Sequence, residues 1–134
     1  MEPSIFTRII NGEIPCFKVY EDEKTIAFLD IHPIQPGHVL VVPKTQIGNF
    51  YELNDEDYAA FFATVKRIAQ QLKRKFPDKA RVGVMIEGLE VDHVHAKLFP
   101  IDTGDEYRNN PDMSTDPDMI ALAAMADYLQ IEAV

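Results

Sequence analysis

Cysteine occurs once in these 134 residues, at Cys16, so no disulfide can form within the chain and a reducing compartment suits it. Cations are scarce as well: 13 Lys and Arg face 22 Asp and Glu, with no long basic block. The resulting net charge of −9 argues against a nucleic-acid groove, which needs a concentrated positive field. A small nucleotide held by local groups is compatible with it. No apolar run approaches the roughly 20 residues of a membrane span. The first residues lack the basic, apolar and cleavage regions of a secretory signal. These absences predict a cytoplasmic protein with neither nucleic acid nor membrane as partner. No internal repeat or low-complexity tract is found. The 46% hydrophobic and 26% charged content is that of a soluble globular chain. Its length suits one domain, residues 1–134, with a real core.

Apolar residues at 5, 6, 9 and 10 predict a short helix over Ser4 to Ile10, ended by Gly12. Phe17 to Tyr20 and Thr25 to Leu29 read as a hairpin around the polar turn Glu21-Asp22-Glu23-Lys24. His32 to Gly37, with two prolines, reads as an ordered loop before the β-branched run Val39 to Val42. Asn54 is a good N-cap, and acidic residues at 55, 56 and 57 favour the positive end of a helix dipole. Tyr58, Phe61, Phe62, Val65, Ile68, Leu72 and Phe76 follow at helical spacing until Pro77. Arg81 to Glu87 and Val91 to Phe99 read as strands around a Gly88 turn. Residues 102–115 read as a polar loop, Asp116 before Pro117 as a helix start, and Met119 to Leu129 as an alanine-rich helix. The expectation is an α+β fold: an antiparallel five-stranded meander, one main helix packed on it, and short N-terminal and C-terminal helices.

The run His93-Val94-His95-Ala96-Lys97-Leu98-Phe99 carries the most chemistry. In an extended strand residues 93, 95 and 97 share one face while Val94, Ala96 and Leu98 take the other. A neutral histidine can attack phosphorus, and a neighbouring imidazole or ammonium can steady the charge. Metal binding is the rival, but two histidines are half a tetrahedral set and a lysine beside them opposes a cation. Two half-exposed histidines on an edge strand is the plainer reading, and spacing leaves it open. His38 alone reads as structural, hydrogen-bonded to backbone. Asp30 reads either as an acceptor for both ribose hydroxyls or as a cap for the following loop. Phe6, Ile9, Ile14, Phe28 and Ile31 suit an apolar slot for a purine, or ordinary core.

Longer blocks carry a resemblance. They are Ile5-Phe6-Thr7-Arg8-Ile9-Ile10-Asn11-Gly12-Glu13-Ile14-Pro15, Val19-Tyr20-Glu21-Asp22, Ala27-Phe28-Leu29-Asp30-Ile31, Pro36-Gly37-His38-Val39-Leu40-Val41-Val42-Pro43-Lys44 and Gly88 to Pro100. Together they resemble the histidine-triad (HIT) superfamily over about residues 1–100, leaving 101–134 as loop plus C-terminal helix. The resemblance implies a homodimer formed through the main helix and a shared sheet. It also implies a purine nucleoside monophosphate or related nucleotide on each protomer, and no cofactor. It puts His95 in the nucleophile's place of His-x-His-x-His, His93 as first triad member and His38 as the upstream histidine. Asp30 matches the ribose acid, and Phe6, Ile9, Ile14, Phe28, Ile31, Glu90 and Val91 the nucleotide pocket. The activity implied is a nucleotidyl hydrolase or transferase, phosphoramidase-like, working through a nucleotidyl-histidine. A nucleotide-binding module with weak or no catalysis is the alternative.

The chain departs from that pattern in four places. Lys97 stands where the third histidine belongs, able to bind phosphate oxygens or to lower the His95 pKa. Gly88-Leu89-Glu90 replaces a Gly-Gln-Ser or Gly-Gln-Thr turn, making Glu90 a proton donor only if its pKa is raised. Around Val84-Met85-Ile86 no counterpart of a family asparagine is found. Ser4, Thr7 and Gln46 stand at the positions of a Cys-x-x-Cys and a histidine that bind structural zinc in some members, so no metal is expected.

Overall fold

The computed structural model describes residues 2–131. The domain expected over 1–134 therefore includes four residues, 1 and 132–134, that lie outside the described part. Helix α1 spans Ile5–Ile10, with Ser4 as its N-cap accepting from the Thr7 amide. The strands are β1 Lys18–Glu21, β2 Thr25–Leu29, β3 Val39–Pro43, β4 Arg81–Met85 and β5 Ala96–Ile101. Between β3 and β4 runs α2, Asp55–Lys75; after β5 come α3, Gly104–Tyr107, and α4, Met119–Leu129. No described helix is long and apolar enough to cross a membrane.

All five strands pair antiparallel, in the order β1-β2-β3-β5-β4. This is the expected α+β architecture, yet the order departs from a simple meander. β4 and β5 form a hairpin that joins β3 through β5, because β5 is the more buried of the two and gains a partner on each side. The half-exposed β4 is left at the edge. Two expected strands are also shorter than the sequence suggested. Arg81 to Glu87 ends at Met85, and Val91 to Phe99 begins only at Ala96.

The two faces of the sheet do different work. On one, Ala27, Leu29, Val39, Val41 and Leu98 pack on Phe61, Val65, Ile68 and Leu72 of α2. Each Val, Leu, Ile or Phe among them contributes roughly 1.5–3 kcal/mol by leaving water. Asn54 caps α2 by accepting from the Asp57 amide, and the helix stops at Phe76, before Pro77. α4 closes the end of this layer with buried Leu122, Ala126 and Leu129. Its cap is Asp118, two residues beyond the Asp116 expected from sequence, because the Asp118 carboxylate accepts from the Ala121 amide. The Gln71 side-chain amide of α2 donates to the carbonyls of Leu129 and Gln130, satisfying the end of α4. Ile131 N–H adds a bond to the carbonyl of Val19.

On the opposite face Phe6 of α1 packs with Ile26, Phe28, Leu40 and Val42. The 30–38 loop ends on the α2 side of the sheet, against Leu72 and Phe76. Gly37 sits at φ +87°, and a Cβ there would lie 3.0 Å from Phe76 and 3.2 Å from Pro100. Only glycine fits both the left-handed backbone and that close approach. The turn delivers His38 into the sheet, where its carbonyl accepts from Asp30 N–H.

Candidate active site

Residues 91–95 are irregular because ring-to-backbone and loop main-chain bonds replace ladder bonds there. His93 Nε2 lies 2.8 Å from the Pro43 carbonyl, and Val94 N–H donates to Ile47. A carbonyl only accepts, so His93 carries its proton on Nε2. Its Nδ1 then accepts from the Ser4 hydroxyl at 2.7 Å. The ring is 0% exposed with both nitrogens engaged. Of the three residues expected to share a reactive face, His95 and Lys97 line the cleft, whereas His93 lies behind it as a support.

The support is specific. The His93 carbonyl accepts from His95 Nδ1–H at 2.8 Å. That assigns the His95 proton to Nδ1 and leaves the Nε2 lone pair free. Phe6 packs its ring against both imidazoles, with centroids 5.8 Å from His93 and 4.9 Å from His95. Burial pushes the His95 pKa down; the bond to His93 opposes this and the Lys97 ammonium adds to it. His95 is therefore a neutral imidazole near pH 7, the form that can attack phosphorus.

The cleft measures about 390 Å³ and is mostly apolar. Phe6, Ile9, Ile14, Phe28 and Ile31 supply its apolar wall, and Asp30, Glu90, Val91, His95 and Lys97 complete the expected set. Phe6 and Phe28 meet edge to face at 5.7 Å. Asp30 Oδ1 accepts from His32 N–H, so this carboxylate does cap the following loop while also lining the cleft. His38 lies in the wall of a neighbouring cavity across the 30–38 loop. Its Nδ1 accepts from Ile34 N–H at 3.0 Å, the backbone bond expected of it. Its Nε2 then carries the proton, with no partner among the described residues; Asp30 Oδ2 is 3.8 Å away.

Lys97 is not a lone cation. Its Nζ lies 3.2 Å from Glu87 and 3.3 Å from Glu90. Burial is the largest single influence on Glu90 and raises its pKa, but its own backbone N–H, Lys97 and Glu87 together outweigh it and hold the carboxyl below the ordinary value. An ionised Glu90 cannot be the proton donor that a raised pKa would have made it. Sequence reasoning missed Glu87, whose only signal is its charge, opposite to that of Lys97. Donor atoms of Glu87, Glu90 and His95 lie within 4.8 Å of one another, close enough to hold a cation, but Lys97 already balances these carboxylates. Lys97→Gln should raise the His95 pKa, read from its imidazole proton shifts across pH 4–9. No upward movement would mean that Glu87 and Glu90 cancel the ammonium's field.

The hydroxyls of Ser4 and Thr7 reach His93 Nδ1, and Gln46 binds these two residues, at the three positions the resemblance assigns to zinc ligands. Here Gln46 Oε1 accepts from Ser4 N–H and from the Thr7 hydroxyl, and Gln46 Nε2 donates to the Glu2 carbonyl. Two hydroxyls and an amide offer no thiolate or second imidazole, and each is already bonded. The set does not fit zinc.

The HIT domain model matches residues 11–104. This chain belongs to the HIT family. Protein hit of Bacillus subtilis strain 168 is 49% identical over 106 residues, covering 74% of this chain and 71% of that protein. The adenosine 5'-monophosphoramidase hnt1 of Schizosaccharomyces pombe is 36% identical over 96 residues, 72% of each chain. A HIT-like protein of Bartonella henselae, described as involved in cell-cycle regulation, superposes with a TM-score of 0.80. It is 30% identical and covers 95% of this chain and 94% of that one. The HIT match ends at residue 104, so α4 and the loop before it lie beyond the family segment.

Proposed function

We propose that this HIT protein is a nucleotidyl hydrolase or transferase of the His-x-His-x-Lys type, attacking the α-phosphorus of a purine nucleotide through His95. One observation carries the reading: His95 Nδ1–H is tied to the His93 carbonyl, which leaves Nε2 as a lone pair in an apolar cleft. Nε2 forms a bond to phosphorus as the bond to the leaving amine breaks, and the amine takes a proton from water. The Nδ1–H bond to His93 steadies the charged nucleotidyl-imidazole. Water then attacks phosphorus, the P–N bond breaks, and a nucleoside monophosphate leaves. Asp30 takes the ribose hydroxyls, the apolar wall takes the purine, and Lys97 takes phosphate oxygens once Glu87 and Glu90 give way. Nucleoside phosphoramidates and dinucleoside polyphosphates are the substrate classes. No cofactor is required. The half-exposed edge of β4 and the surface of α2 suit pairing with a second copy, and Cys16 suits a reducing cytoplasm.

The second reading, a nucleotide-binding module with little catalysis, draws on the ion pairs that engage Lys97. Incubation with adenosine 5'-phosphoramidate, followed by phosphorus NMR, separates the two. Release of AMP at an enzyme-dependent rate supports the hydrolase; AMP binding without any release supports the module.

A further inference from the structure

The chain returns to the cleft after the family segment has ended. Pro111 and Met113 line the same cleft as Phe6, Ile31 and His95. Two sets of bonds hold them there. Asp112 folds its own turn: Oδ1 accepts from the Ser114 amide and hydroxyl, and Oδ2 from the Thr115 hydroxyl. His32 Nδ1–H then reaches the Asp112 carbonyl at 3.2 Å, which sets residues 111–113 beside Ile31 and His32. Met113 and Ile31 remain 68% and 45% exposed, two large apolar side chains at one mouth. A flat aromatic ligand entering between them would remove both from water, and methionine sulfur makes favourable contacts with aromatic rings.

We infer that residues 111–113 form a strap over the cleft, and that Met113 with Ile31 grips the base of the bound nucleotide. The inference rests on the nucleotide reading above and adds to it that base affinity is set partly outside the HIT segment. Pro111 and the Asp112 turn make the strap stiff, so little chain entropy is lost when the base binds. The strap touches the base and not the phosphate, so its removal weakens ligands that carry a base and spares those that lack one.

Titration calorimetry with AMP and with ribose 5-phosphate tests this on wild type, Met113→Ala and the double variant Pro111→Ala/Met113→Ala. Met113 is exposed, so its loss leaves the core intact. AMP should bind about tenfold more weakly to the variants, as expected for the apolar area lost. Ribose 5-phosphate should bind them as it binds wild type. Unchanged AMP affinity overturns the strap and leaves the nucleotide reading standing. A parallel loss for both ligands also overturns it, since the strap would then act on the phosphate end or on the fold. A wild-type protein that binds no AMP removes both readings together.

Discussion

Replacing His95 with asparagine should cut turnover of adenosine 5'-phosphoramidate by about a thousandfold or more while AMP still binds. Asparagine preserves polarity and the bond to the His93 carbonyl but has no nitrogen lone pair able to form the covalent intermediate. Any residual rate would come from positioning and charge alone. The check is a single-turnover experiment with labelled phosphoramidate, quenched in alkali, where a nucleotidyl-imidazole survives. Wild type should show a transient protein-bound label, and His95→Asn none. Label persisting in the variant, with turnover reduced less than tenfold, would place the attack elsewhere.

Acid should destabilise the fold well before its carboxylates titrate. His38 is 2% exposed, and its pKa is pushed from 6.5 to about 4 by burial, against Asp30 and with Lys97 and His95. The unfolded chain therefore takes up a proton at 6.5 that the folded one refuses until about 4. Stability rises with pH wherever the unfolded state binds more protons, so it is complete above 6.5 and lost as pH falls toward 4. The loss from His38 alone is on the order of 3 kcal/mol. His93 and His95, both lowered chiefly by burial, shift in the same direction. Urea midpoints at pH 7.5, 5.5 and 4.5 should fall steadily in wild type and noticeably less in His38→Gln. Equal slopes for both proteins would mean that His38 is protonated in the folded state.

How much of this could be read from the chain varies with the kind of contact. α2 was legible almost residue for residue, because its cap, its apolar period and its terminating proline are all local. α3 has its own local signal: Thr103 and Glu106 form a reciprocal capping box inside a segment whose polarity alone suggests a loop. The histidine run reads as strand because its alternation is regular. Bonds from His93 to Pro43, and from His95 to the His93 carbonyl, hold residues 93–95 off the ladder, and alternation has no mark for such bonds. Likewise the place of β5 between β3 and β4 follows from burial, which chain order does not display. The cleft residues came from the resemblance; composition would equally have made them core. Pro111 and Met113 carry no such mark, because neither has a periodic neighbour and the resemblance fades before them. The Lys97 pairs with Glu87 and Glu90 depend on a turn whose shape no spacing rule supplies.

The latch between Gln71 and the end of α4 bears on what the sheet shows to solvent. Leu129 is wholly covered, and the seam it fills lies between the first strand and the main helix. Take α4 away and that seam faces water as an apolar strip along the sheet. A variant ending before residue 119 should therefore bind a dye for exposed apolar surface and melt well below the full-length protein.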